Sequence, residues 1–217
     1  MQVVCLDLEG VLVPEIWIEF SKRTGIPEFS RTTRDEPDYE KLMRFRIDLL
    51  RRHGLKLADI QSTIGAMSPL PGAREFLDGG RPRPWFGDGL RSRFQVVILS
   101  DTFYEFADPL MRQLGRPTLF CHRLLIDDEG FVADYRLRQQ DQKRHAVNAF
   151  KSLNYKVIAA GDSFNDTGML AAADAGFFIH PPATIAAQFP QFPVHHDYAS
   201  LRGSIDAAAA RLRETAA

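Results

Sequence analysis

Cysteine is scarce: Cys5 and Cys121 are the two in 217 residues, far apart and each inside an apolar stretch. That excludes a disulfide framework and argues against a thiolate zinc site, leaving both as small buried hydrophobes. Apolar runs of about 18 residues, the length a membrane helix needs, are missing. The opening M-Q-V-V-C-L-D-L-E-G carries two acids where a secretory signal needs a basic region, so a cytosolic (cytoplasmic) protein is expected. An excess of one charge is missing too, with 27 Lys and Arg against 28 Asp and Glu. Bulk capture of nucleic acid or of an anionic membrane requires a basic surplus, so no nucleic acid and no membrane are expected as partners. Oligomeric state is not readable from the sequence. What is present is ordinary globular material, 45% apolar and 25% charged.

Four short apolar runs recur between helix-like segments: Val3 to Leu8, Phe94 to Leu99, Lys156 to Ala160 and Gly176 to Ile179. Continuous apolar runs of this kind are strands buried on both faces, so the expected fold class is α/β with a doubly wound parallel sheet. Leu124 to Ile126 and Phe131 to Tyr135, around Asp127-Asp128-Glu129-Gly130, predict a β-hairpin. Between the first two strands, residues 15–70 carry 19 charged residues, about a third of the segment. This predicts a small helical insert, with helices over Pro14 to Thr24, Tyr39 to His53 and Leu57 to Met67. The expected domains are a core of residues 1–14 and 71–217 and a helical cap of 15–70. Residues 79–89, rich in Gly and Pro, are expected to form a surface loop with Trp85-Phe86 as an anchor or a contact patch.

Ligands of such sheets bind at the carboxyl ends of the strands, so chemistry is sought just after each run. Asp7 and Glu9 follow the first, two apart and so expected on the same side of the strand. Crowded carboxylates need a cation or a shared proton, and Mg²⁺ suits them, although a solvated acidic turn closed by Gly10 is an alternative. Gly161-Asp162-Ser163-Phe164-Asn165-Asp166 brings a second acidic group, where capping is the competing role. Asp7, Glu9, Asp162 and Asp166 are expected to converge on one cation. Ser100, before Asp101, either caps a helix or donates to a phosphate oxygen. Asp141 is expected to be an N-cap, which puts Lys143 in a first helical turn where the macrodipole disfavours a cation. An aspartate, a bound phosphate or plain solvent exposure would compensate it. Arg46 falls on the apolar stripe of its helix with Tyr39, Met43 and Leu50, so it snorkels outward or meets an anion. Glu15, just inside the first insert helix, is favoured there by the dipole alone.

Taken in order, D-L-E-G-V at 7–11, I-L-S at 98–100, Lys143 and G-D-S-F-N-D at 161–166 resemble the four motifs of haloacid-dehalogenase-superfamily phosphatases. The stretches D-L-E-G-V-L-V-P-E-I-W-I, T-T-R-D-x-P-D-Y, H-G-L-K-L, V-V-I-L-S-D-T-F-Y-E-F and F-P-Q-F-P are similar to phosphoserine phosphatases that also act as phosphoserine:homoserine phosphotransferases. The resemblance implies that Asp7 is a nucleophile forming an aspartyl-phosphate and that Glu9 is the acid and base. It implies Mg²⁺ bound by Asp7, Asp162 and the backbone carbonyl of Glu9. It further implies Ser100, Lys143, Asp101 and Asn165 around the phosphoryl group, and Glu15 and Arg46 on the amino and carboxylate ends of the substrate. Its substrates would be phosphoserine and homoserine. The superfamily's usual second acid is Asp, and this chain has Glu9. Two alternatives stand beside this reading: a phosphatase for another small phosphomonoester, and a phospho-accepting receiver module, against which the long insert weighs.

Overall fold

Along each central strand, alternate side chains enter two separate hydrophobic clusters, and this period of two fixes the architecture. The structure, a computed structural model, describes residues 1–32, 35–36, 38–80 and 88–214. The first strand, β1 (Gln2–Leu6), sends Val4 and Leu6 into one cluster and Val3 and Cys5 into the other. β2 (Gln95–Phe103) divides Val96 and Ile98 from Val97 and Leu99, and β5 (Lys156–Gly161) divides Ile158 and Ala160 from Val157 and Ala159. With β3 (Thr118–Ile126), β4 (Val132–Arg136), β6 (Ala175–Ile179) and β7 (Val194–His195), they form one sheet in the order β4-β3-β2-β1-β5-β6-β7. All pairings are parallel except β3 with β4, which is the expected hairpin.

Helices α4 (Ala73–Asp78), α5 (Tyr104–Gln113) and α9 (Tyr198–Glu214) pack on one face. On the other face α6 (Gln142–Ser152) and α7 (Thr167–Ala172) contribute Val147, Met169 and Leu170, with α8 (Ala183–Gln188) beside them through Ile185. Helices on both faces make the sheet doubly wound. Strand order reverses at β1, so the crevice beyond the ends of β1 and β5 is the switch point where such sheets bind ligands. Cys5 and Cys121 are free and buried, and burial pushes the Cys5 thiol up to about 12.

Between β1 and α4 lies the insert: α1 (Ile16–Thr24), a short turn at Pro27–Ser30, α2 (Tyr39–Arg52) and α3 (Leu57–Gly65). Its apolar residues, among them Phe20, Phe29, Met43 and Ile60, join the same cluster as Phe106 and Leu110 of α5. Trp17 rests edge-on against Phe106 at 5.2 Å. From its polar side, α2 grips the hairpin: Arg44 meets Asp134 and Arg51 meets Asp127, both at 2.9 Å.

Several boundaries differ from the sequence expectation. β1 stops at Leu6 because Leu8 to Val13 close a tight turn, in which Gly10 donates to Val13 at 2.8 Å and adopts φ +74°. Asp7 and Glu9 therefore lie beyond the strand. α1 starts at Ile16, so Glu15 is at its N-cap and makes no side-chain cap. β2 runs on to Phe103, which removes Ser100 as a helix cap. Asp141 holds the N-cap position of α6 without capping it, since its φ of +48° and its pairing with Arg144 turn the carboxylate away. The parallel half of β3 and the two-residue β7 were not anticipated. Residues 81–87, including Trp85 and Phe86, lie outside the described residues.

Gly176 is where β6 and α7 touch most closely: a Cβ there would meet the Leu170 carbonyl oxygen at 2.6 Å and its Cβ at 2.9 Å. Gly176→Ala should destabilise the protein by about 1–3 kcal/mol through overpacking. The measurement is a urea titration, with a lower midpoint and unchanged slope expected. A midpoint equal to that of the parent would refute the close approach.

Candidate active site

At the switch point the chain buries a cation among acids. Lys143, in the first turn of α6 and 5% exposed in its side chain, lies 3.0 Å from Asp7, 2.8 Å from Asp166 and 3.4 Å from Asp101. Burial alone would lower the lysine's pKa, and the three carboxylates more than reverse this, holding it well above its usual range. The partner expected for a cation in a first helical turn is thus a set of aspartates, and the solvent-exposure alternative is excluded.

Each acid reaches this point by a different backbone route. Asp7 follows β1 directly; its N–H donates to Ala160 of β5 at 3.0 Å, and its Oδ1 accepts from Leu8 N–H at 2.7 Å. Its carboxyl is raised well above the usual range by burial and by Asp166, against the pull of Lys143. Asp162 follows β5, and burial with the Asp166 charge lifts it to about 8. Gly10 makes room for it: a Cβ at that position would sit 2.3 Å from an Asp162 carboxylate oxygen. Ligand oxygens of Asp7, Asp162 and Asp166 all lie within 4.8 Å of one another.

Asp166, fully buried, is nonetheless committed elsewhere. Its Oδ2 accepts from the N–H groups of Asp162 and Ser163 at 2.9 and 3.0 Å and from the Ser163 hydroxyl at 3.2 Å, while Oδ1 accepts from Lys143. It organises the turn that presents Asp162 and leaves Asp7 and Asp162 as the carboxylates with oxygens free for a cation. Two neighbouring carboxylates, each raised by burial and by the Asp166 charge, fit a hard divalent ion.

The expectation that the Glu9 carboxylate joins them is corrected. Outside the strand, Glu9 is freed from the period of two and turns towards the insert. Its Oε2 accepts from the Ile16 N–H at 2.9 Å, and Thr102 adds a side-chain hydrogen bond. Burial first, and then the Glu15 charge, push Glu9 up to about 7. Its carboxyl therefore retains a proton near neutrality, as a general acid requires.

Arg46 is buried and faces inward. Its guanidinium stands 4.5 Å over the Trp17 ring, and Nη2 donates to the Arg31 carbonyl at 2.7 Å. Its Nε is buried without a partner among the described residues, and burial lowers its pKa to about 10 against the pull of Glu9, Tyr39 and Glu15. Glu15 is exposed, and its charge bears on both Glu9 and Asp162. Ser100 is buried with its hydroxyl 3.3 Å from the Thr102 N–H. Asn165 lies exposed in the turn Phe164–Asp166, where its side chain makes no hydrogen bond among the described residues.

Four further residues approach the site without having been singled out for it. The Tyr39 hydroxyl, at the start of α2, donates to the Asp101 carbonyl at 3.5 Å. Gln142, buried, reaches the Ser100 carbonyl with Nε2. Thr102 meets Glu9, and His122 lies buried beside Asp101. Gln142 adjoins Lys143 in sequence and Thr102 adjoins Asp101, so proximity to those residues was the available signal. His122 carried none, because it arrives through β3.

Residues 1–174 match the haloacid dehalogenase-like hydrolase family. The chain is 59% identical over 202 residues to phosphoserine phosphatase ThrH of Pseudomonas aeruginosa, covering 93% of this chain and 94% of that protein. It is 58% identical over 202 residues to a phosphoserine phosphatase of Pseudomonas syringae pv. tomato, covering 93% of this chain and 81% of that one. Among solved structures it resembles a phospho-aspartyl intermediate analogue of phosphoserine phosphatase, with a TM-score of 0.72, 17% identity and coverage of 94% and 98%. Another, the phosphoserine phosphatase of T. onnurineus in complex with NDSB-201, gives a TM-score of 0.68 at 25% identity, covering 92% of each chain. A family match over most of the chain and relatives of this similarity along nearly all of it settle membership: the chain belongs to the haloacid dehalogenase-like hydrolases and is an enzyme of that family.

Proposed function

We propose that the protein is a Mg²⁺-dependent phosphoserine phosphatase that also transfers the phosphoryl group to homoserine. The observation that carries this is the Asp7 carboxylate at the end of the central strand, 3.0 Å from a buried Lys143 and grouped with Asp162. The 59% identity to a protein named phosphoserine phosphatase supports the substrate. Residues 15–70 act as a cap over a core of 1–14 and 71–217. No helix among the described residues is long and apolar enough to cross a membrane.

Asp7 attacks phosphorus, the bond from phosphorus to the serine oxygen breaks, and that oxygen takes the proton of Glu9. Glu9 then removes a proton from water, which attacks the aspartyl-phosphate and releases Asp7 and inorganic phosphate. With the homoserine hydroxyl in place of water, the same step yields phosphohomoserine. Ser100 and Lys143 hold the phosphoryl oxygens, with Asp101 and Asn165 beside them. Arg46 and Glu15 take the carboxylate and ammonium of the amino acid. Asp7, Asp162 and the Glu9 backbone carbonyl would hold Mg²⁺, which when bound offsets the negative charge that these carboxylates and a phosphate bring together. Serine, the leaving group, and homoserine, the acceptor, differ by one methylene, a difference that a pocket discriminates by only about 1–3 kcal/mol.

Phosphate release from phosphoserine should be abolished in Asp7→Asn and by a chelator, with Mg²⁺ restoring only the chelated parent. A fully active Asp7→Asn enzyme would eliminate the nucleophile assigned here. Glu9→Asp, one methylene shorter, should alter the ratio of free phosphate to phosphohomoserine formed when homoserine is present. Product analysis by ³¹P NMR measures that ratio, and an unchanged value would count against Glu9 as the group that serves both acceptors.

A further inference from the structure

Lys143 has three acidic neighbours, and two are occupied by other tasks: Asp7 in the reaction proposed above, Asp166 by the N–H groups of Asp162 and Ser163. Asp101 is the third. Its Oδ2 lies 3.4 Å from Lys143 Nζ, and its Oδ1 faces two donors from different elements, Gln142 Nε2 at 3.4 Å and His122 Nε2 at 3.8 Å. The His122 contact is an electrostatic one, longer than a hydrogen bond.

The tautomer of His122 is set from its far side. Nδ1 accepts the backbone N–H of Arg138 at 3.0 Å, so it carries no proton. Burial pushes the imidazole below its usual range and keeps it neutral, which leaves the single proton on Nε2, the nitrogen turned towards Asp101. A chain of contacts thus runs from the Arg138 backbone through His122 and Asp101 to Lys143. It crosses β3, β2 and α6, the elements that must stay in register for the ammonium to meet a phosphoryl group.

We propose that His122 is a positioning residue, which presents Nε2–H to Asp101 and so holds that carboxylate where it orients the Lys143 ammonium during phosphoryl transfer. The inference rests on the roles given above to Asp7 and Lys143. Asp101 then acts on the substrate through the lysine. A neutral imidazole suits the position, because a second cation beside Lys143 would compete for the same carboxylate.

Two amide side chains separate this role from mere packing. Asn can keep an acceptor for Arg138 but ends short of the Nε2 position, whereas Gln places an N–H donor near it. The assay is Mg²⁺-dependent hydrolysis of p-nitrophenyl phosphate, which does not depend on the amino-acid substrate, with Asp7→Asn as the control. H122N and D101N should each lower kcat about tenfold, the lower end of the loss seen when a group that orients a site's reacting residues is removed, with KM within about twofold. H122Q should recover kcat to within about threefold of the parent. The H122N/D101N double variant should be no slower than the slower single one, since both break one chain of contacts. The melting temperature of H122Q should be no higher than that of H122N, since Gln gives up the acceptor for the Arg138 N–H, so a faster H122Q is not explained by better folding. Equal kcat in H122N and H122Q, or losses that multiply in the double variant, would overturn the inference. With Asp7→Asn inactive, that failure would leave the proposed function intact; an active Asp7→Asn would bring down both.

Discussion

The arrangement that the site depends on is one buried ammonium shared by three carboxylates. Taking charges out of water costs several kcal/mol for each ion, and only close, hydrogen-bonded partners offset it. Lys143 meets that condition at 2.8 to 3.4 Å, with the residue that follows β1, β2 itself and the turn after β5 each supplying one acid. A lysine satisfied by a single aspartate could ride on one element. A lysine satisfied by three requires β1, β2 and β5 to be held in register, although β2 runs on past the end of β1, and α6 to start close to all three. The macrodipole opposes a cation in this first turn, which makes the acids more necessary.

The same crowding separates the acids by role. Asp166 gives up its lone pairs to backbone donors and to Lys143, so it serves as scaffold. Asp7 and Asp162 keep oxygens in reserve at the cost of raised pKa values, a cost that a divalent ion would remove. Glu9, carried out of the strand by the Gly10 turn, is removed from that group and placed against the insert, where burial holds its proton up to about 7. Two acids only two residues apart thereby sit in different environments, as the proposed division into attack by one and proton transfer by the other requires.

Much of this could be read from the sequence, for identifiable reasons. Strands buried on both faces leave continuous apolar runs, so the ends of β1 and β5, and with them Asp7 and Asp162, were legible to within two residues, whereas β2 runs on past Ser100 to Phe103. Lys143 was conspicuous because it breaks a local rule, and Arg46 because it interrupts an apolar stripe. What stayed hidden was decided by tertiary geometry. The orientation of Glu9 follows from a turn that ends β1 two residues early. Asp141 looks like a cap and is prevented from capping by a positive φ and a nearby Arg144. The parallel half of β3 is not an uninterrupted apolar run, since it includes His122, and that residue acquires meaning only once β3 is laid beside β2.

The insert extends the same logic to the other side of the site. Its attachment is mainly apolar, through Phe20, Phe29 and Ile60 against α5, whereas the exposed Arg44–Asp134 and Arg51–Asp127 pairs are worth at most about 1 kcal/mol each. Those pairs contribute direction: they set α2 along the β3–β4 hairpin, and the hairpin continues the strand that carries His122. At the other end of α2, Tyr39 touches the carbonyl of Asp101, two helical turns before Arg46 on the same face. Arg46 on α2 and Asp101 on β2 are therefore tied to each other through the seating of α2. A shift of α2 that displaced Arg46 would also disturb Asp101, which couples the seating of the insert on the hairpin to the geometry around Lys143.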